Sequence, residues 1–191
     1  MFNRKAQSLT RDDVINAAIY CLEIEGENAL GINRVAKELN IKPPSLYNHI
    51  KSNDDLYKAV VIQGWKKLLN ECKNNKSKIN NLEHTIEYLF NTFRNFAKNN
   101  KALYLVMSKI SIKIDDEDFV PILNDFIQFF SEVLAPLQMD RDSQIHTIRF
   151  LRSTIHGFII LELQGQFEMN LSIEKSYDFI KKSLIKILST F

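Results

Sequence analysis

Glycine and proline are scarce here, five and four among 191 residues. A many-turned β fold needs more of both, so 45% hydrophobic residues with so few breakers point to long helices and short connections. Cysteine is nearly absent. Cys21 and Cys72 are too few and too far apart for a metal knuckle or a disulfide framework, and the pattern gives one core thiol and one on a helix surface. No run of about 18 or more uncharged apolar residues occurs, which argues against a membrane span. The N-terminus, MFNRKAQSLTRDD, has charges but no apolar centre of a signal peptide, so the expected compartment is the cytoplasm. Strong net charge is missing too: the formal balance is +2, which excludes coating nucleic acid by bulk electrostatics and leaves only local contact. The length allows one large domain or two small ones with a real core.

What is present is concentrated in residues 32–56, INRVAKELNIKPPSLYNHIKSNDDL. Val35, Leu39 and Ile41 are apolar, small Ala36 follows Val35, and Leu46 and Ile50 recur four apart, the stripe of two short helices packed at a steep angle. Asn40 falls in the turn, where the left-handed backbone suits Asn. Pro43 and Pro44 then open the second helix, where a missing N–H costs nothing. Facing outward on it are Lys42, Ser45, Tyr47, Asn48 and His49, donors and an aromatic edge without an acid, a surface suited to a DNA groove. Acids cluster instead in the first helix and its exit (Asp12, Asp13, Glu23, Glu25, Glu27), while residues 39–53 contain none, so the local field at the reading helix is positive.

The run L-Y-N-H-I-K-S-N-D-D-L (residues 46–56) resembles the L-Y-x-H-F-x-x-K-x-x-L signature that ends the DNA-binding domain of TetR-type transcriptional regulators. Residues 10–62 as a whole are similar to that family's N-terminal three-helix domain and the start of its next helix. Two positions depart from the pattern. Ile50 stands for Phe and keeps an apolar core position. Asn53 stands for a Lys that meets a DNA phosphate in relatives, so Lys51 or the backbone N–H groups at the start of the next helix are expected to take that contact. The resemblance implies an all-α fold of about nine helices, with a helix-turn-helix DNA-binding domain (1–53) followed by a larger helical effector-binding and dimerisation domain (54–191). The helix over residues 54–74 connects them. It also implies DNA contacts by Asn33, Lys42, Pro43, Pro44, Ser45, Tyr47, Asn48, His49 and Lys51.

Along the rest of the chain, Arg4 and Lys5 form either a solvated tail or a basic arm on the phosphates or minor groove. Thr10 and Asp13 form a capping box for a first helix whose apolar face is Val14, Ala17, Ala18, Cys21 and Leu22, ended by Gly26. Residues 73–81, KNNKSKINN, read as a linker. Beyond it come amphipathic helices rich in aromatics: one on Leu82, Ile86, Leu89, Phe90, Phe93, Phe96 and Ala97, a shorter one over residues 102–107, and one on Phe119, Ile122, Leu123, Phe126, Ile127, Phe130 and Leu134, closed by Pro136. The segment ISIKIDD (110–116) alternates but has no partner strand, which makes it a loop. Two last helices are expected over 141–165 and 172–189, the latter capped by Ser172.

His156-Gly157-Phe158, then Leu161-Glu162, Gly165, Phe167 and Ser176-Tyr177, resemble the C-terminal half of the TetR-type subgroup with a Trp/His-Gly signature in its penultimate helix. A glycine inside a helix costs about 1 kcal/mol relative to Ala, so Gly157 implies close approach by another backbone. The simplest partner is a second copy, giving a two-fold homodimer on the last two helices with Phe150, Thr154, Gly157, Leu161 and Phe179 at the interface. The aromatic stripes are ordinary core position by position. The family usually places an effector cavity among these helices, and one lined by Phe93, Tyr104, Met107, Phe126 and Phe158 would take a hydrophobic or amphipathic small molecule, with Tyr104 and His156 as polar handles. His84, His146 and His156 form no metal-ligand spacing, and neither Ser176 nor Cys72 has a motif supplying a base, so no metal, cofactor or catalytic site is expected.

The expected function is a homodimeric repressor released from a palindromic operator of double-stranded DNA by a small effector. The alternative is an architectural DNA-binding dimer that needs no effector. A helical enzyme or carrier, the third reading, would bury the outward face of the reading helix.

Overall fold

The computed structural model describes residues 8–74, 81–110 and 115–189. Their regular structure is entirely helical: α1 (Arg11–Glu25), α2 (Ile32–Glu38), α3 (Asn53–Lys73), α4 (Leu82–Asn99), α5 (Lys101–Lys109), α6 (Val120–Leu134), α7 (Arg141–Leu163) and α8 (Ile173–Leu188), with 3-10 segments at Glu27–Ala29, Pro43–Asn48 and Ala135–Leu137. Counting Pro43–Asn48, which stands where the reading helix is expected, this is the nine-helix, all-α plan. No helix among the described residues is long and apolar enough to cross a membrane. The expected basic arm at Arg4 and Lys5, the centre of the 73–81 linker and most of the ISIKIDD loop lie outside the described residues.

Local sequence rules place several helix ends. Thr10 Oγ1 accepts the Asp13 N–H at 3.1 Å while the Asp13 carboxylate accepts the Thr10 N–H at 2.9 Å, completing the capping box of α1. Gly26 ends α1 at φ 82°, where its N–H donates to the Leu22 carbonyl. Asn40 adopts φ 54°, the left-handed turn conformation expected of it. Asp140 and Ser172 cap α7 and α8 through the N–H groups of Ser143 and Lys175.

The chain packs as two compact units, one formed by Met1–Lys67 with Asn100–Ile112 and the other by Leu68–Asn99 with Lys113–Phe191. In the first, Val14, Ala17, Ala18, Cys21 and Leu22 of α1 are fully buried together with Val35, Leu46, Ile50 and Leu56. In the second, α4 packs on α6, α7 and α8, and its buried face is Ile86, Leu89, Phe90, Phe93, Phe96 and Ala97, the sequence stripe without half-buried Leu82, together with Arg94. Two sequence expectations change. Both thiols are buried, Cys72 included, and burial, with the nearby Glu71 charge, pushes its pKa up to about 12. Ile127, counted into the apolar face of α6, is 55% exposed: that helix is apolar on more than one side, and Ile122, Phe129, Val133 and Leu134 form its buried side.

Candidate nucleic-acid interface

The first unit presents a helix-turn-helix. α2 packs on Pro43–Asn48 across the Asn40 turn, and Ala36, 1% exposed, is the small residue at that contact. The second element is a 3-10 segment and not an α-helix. With Pro43 and Pro44 in its first turn lacking N–H donors and only six residues to form, it closes on i→i+3 bonds: Ser45 N–H to the Lys42 carbonyl at 2.9 Å and His49 N–H to the Leu46 carbonyl at 2.8 Å. Leu46 and Ile50 point inward at 0% exposure, which turns Lys42, Pro44, Ser45, Tyr47 and Asn48 to solvent. Tyr47 is 56% exposed. Asn33 and Lys51 are exposed as well, and Pro43 and His49 are half-buried. All nine expected contact residues are therefore accessible. Arg34, beside Asn33, is held by the carboxylates of Glu25 and Glu38, the latter at 3.0 Å, so its charge is already paired.

Side chains from outside fix the segment. Arg11 donates to the His49 carbonyl and to Asp55 (2.7 Å), and Asp55 also accepts the Lys51 N–H at 2.8 Å. The Arg11 guanidinium, then the Lys51 backbone bond, hold the Asp55 carboxyl below its ordinary pKa against the effect of burial. The Lys51 backbone donor is thus taken, while its side chain is exposed. Asn53, in place of the family's Lys, bonds back to α2: its Oδ1 accepts the Ile32 N–H at 3.0 Å. Sequence reasoning missed this role, because it links positions 21 residues apart.

α5 belongs to the same unit. Glu23 of α1 accepts the N–H groups of Ala102 (3.3 Å) and Leu103 (2.8 Å), capping α5 from outside. At the other end Lys109 pairs with Glu27, which also accepts the Tyr57 hydroxyl at 3.0 Å. Burial and that carboxylate push Tyr57 up to about 12. Gly64 of α3 is the tight glycine of this unit: a Cβ there would lie 2.5 Å from Met107 Sδ and 3.1 Å from Leu103 Cδ1. No sequence feature singled it out.

The five expected pocket residues divide between the units. Tyr104 and Met107 are buried in the first. In the second, Phe93 and Phe126 each lie against Phe130, at 6.5 and 6.4 Å between ring centroids, whereas Phe158 packs on Phe167 and Tyr177, both at 4.9 Å. Beside Phe158 is a charge network absent from the sequence reading. Arg94, 6% exposed, forms two-pronged bonds to Glu162 (2.8 and 2.6 Å) and Glu174 (2.6 and 2.8 Å) and lies 4.3 Å over the Tyr177 ring. Lys98 adds a contact to Glu162 at 3.1 Å. Burial alone would raise the Glu162 pKa, but the bonds from Arg94 and Lys98 outweigh it and hold the group below its ordinary value. The sequence did carry a mark of this: Arg94 lies four residues after Phe90 and three before Ala97, inside the apolar stripe of α4.

The expected dimer residues are accessible. Phe150, Leu161 and Phe179 are 39%, 40% and 71% exposed, Thr154 and Gly157 are half-buried, and a Cβ at Gly157 would meet nothing within 4 Å in this chain.

Known proteins resemble this chain in sequence and in fold. A family model described as tetracyclin repressor-like, C-terminal domain, matches residues 86–184, just over half of the chain. An uncharacterized HTH-type transcriptional regulator of Mycobacterium tuberculosis is 26% identical over 160 residues, 82% of this chain and 72% of that protein. The uncharacterized HTH-type transcriptional regulator YobS of Bacillus subtilis is 25% identical over 172 residues, 90% and 88% of the two chains. Among solved structures, a TetR variant of Acinetobacter baumannii in complex with minocycline superposes with a TM-score of 0.71 at 16% identity, covering 96% of this chain and 98% of that one. Its likeness is one of fold. With the family model spanning most of α4 to α8 and an exposed helix-turn-helix ahead of it, the chain belongs to the TetR family of transcriptional regulators.

Proposed function

We propose that the protein is a homodimeric repressor that reads a palindromic DNA operator and leaves it when a small effector binds. The observation that carries the DNA part is the acid-free outward face of Pro43–Asn48, with Leu46 and Ile50 buried behind it. An enzyme or carrier with that face packed away would not leave Tyr47 exposed. Lys42 is suited to guanine and Asn48 to adenine, while Tyr47, His49 and the Lys51 side chain hold phosphates. Residues 1–53 act as the reading head, 54–191 as the effector and dimer region, in the cytoplasm.

The exposed α7 and α8 residues named above support dimerisation, and a palindrome requires two heads related by a two-fold axis. The effector reading draws on the aromatic side chains Phe93, Phe126 and Phe158, which favour a hydrophobic ligand, and on the minocycline held by a protein of the same fold. Release requires the effector to bind the DNA-free conformation more tightly than the DNA-bound one, because equal affinity shifts nothing.

The test is selection from random duplex DNA by the purified protein, followed by a footprint and a salt titration. A two-fold symmetric footprint whose affinity falls with rising salt is expected. Tyr47→Ala should weaken binding to every sequence alike. A protein that selects no sequence is not a reader of DNA.

A further inference from the structure

Gly31, the N-cap position of α2, has no side chain to offer, and the helix it precedes is only seven residues long. The first N–H of α2, that of Ile32, is nevertheless satisfied, by Asn53 Oδ1 at 3.0 Å from the start of α3. The bond is partly buried and spans the whole helix-turn-helix, so α2, the Asn40 turn and the reading segment form a loop closed by one side chain. A second tie, Arg11 to the His49 carbonyl and Asp55, holds the exit of the same segment. The reading segment has no side-chain cap of its own. Its pose is therefore set by its packing and by these two ties.

We infer that Asn53 is a positioning residue for sequence recognition: it caps α2 from α3 and thereby fixes the register of the reading segment against the base edges. This rests on the DNA-reading function proposed above. Direct readout needs donor and acceptor placed to within a hydrogen bond, whereas phosphate attraction tolerates small shifts. Loss of the tie should therefore lower discrimination between sequences more than it lowers affinity for DNA in general. A cap that only stabilised α2 would behave differently, and Gly31 allows the two roles to be separated. Its backbone is extended (φ −155°, ψ 150°), as an N-cap requires, and a Cβ there would meet only Asn53 Oδ1, at 3.9 Å. Gly31→Ser supplies a cap within α2 without restoring the tie to α3.

The experiment compares wild type, Asn53→Ala, Gly31→Ser and Asn53→Ala/Gly31→Ser on two probes, a duplex recovered by selection with the wild-type protein and a scrambled duplex of equal length. Melting temperature and the salt dependence of binding are recorded alongside. For Asn53→Ala the ratio of the two affinities is expected to fall about tenfold, the size of one misplaced base contact, with scrambled-duplex affinity and salt slope unchanged. The double variant should regain melting temperature and not the ratio. Recovery of both would make Asn53 a cap and nothing more, and an unchanged ratio in Asn53→Ala would also overturn the inference. If the wild-type protein selects no duplex, the DNA-reading function fails, and the inference with it.

Discussion

Arg94 sits in the most heavily charged buried site among the described residues, and its worth depends on its partners more than on its own burial. Glu162 is 11% exposed and needs the guanidinium, while Glu174, 68% exposed, has water as an alternative. Replacing Arg94 by Met should cost about 3–5 kcal/mol because the Glu162 carboxylate is left desolvated with only Lys98 nearby. Arg94→Met with Glu162→Leu should regain most of it, as measured by urea unfolding. A double variant no more stable than the single would show that the charge pair itself holds the helices. His156 gives a pH prediction. Burial first, and the Arg152 charge second, lower its folded pKa below its ordinary value. A histidine so depressed binds fewer protons folded than unfolded, so its contribution is complete above the unfolded value and is lost as pH falls toward the folded one. The melting temperature should rise as the pH is raised toward the ordinary histidine value of about 6.5, and His156→Gln should flatten that rise.

At the scale of elements, α5 is a short helix held by others. Nine residues are marginal alone in water. Glu23 supplies its N-terminal cap, Lys109 ties its last turn to Glu27, and Leu103 and Met107 fill the space that Gly64 leaves open. Gly64→Ala sets a gain in helix propensity of about 1 kcal/mol against overpacking of about 1–3 kcal/mol. Met107 is only 2% exposed and has little room to move, so the second effect should win by about 1 kcal/mol, read as a drop of about 3 °C in melting temperature. A stabilised variant would mean that the methionine swings aside freely.

For the whole molecule the prediction concerns association. Phe179 at 71% exposure, with Leu161 and Phe150 at about 40%, is more apolar surface than an isolated chain needs to show. Phe179→Glu should convert the proposed dimer to a monomer in light scattering at micromolar concentration and remove binding to a palindromic duplex. A variant that stays dimeric would place the interface elsewhere.

Much of this was legible in the sequence because local rules wrote it. The Thr10–Asp13 box, Gly26, the left-handed Asn40 and the apolar stripes of α1 and α4 each depend on neighbours within one or two turns, and helical periodicity displays them directly. The outward face of the reading segment followed from Leu46 and Ile50 alone. Glycine was less transparent: Gly157 and Gly64 look alike in sequence, yet in this chain only Gly64 is crowded. The same holds for the ties that fix the reading head and the second core. Asn53 meets Ile32 across 21 residues, Arg94 meets Glu162 across 68, and Leu103 takes its cap from Glu23 across 80. A polar side chain is neutral information until folding removes water from it and presents a partner, and that pairing is decided by which helices the packed core brings together.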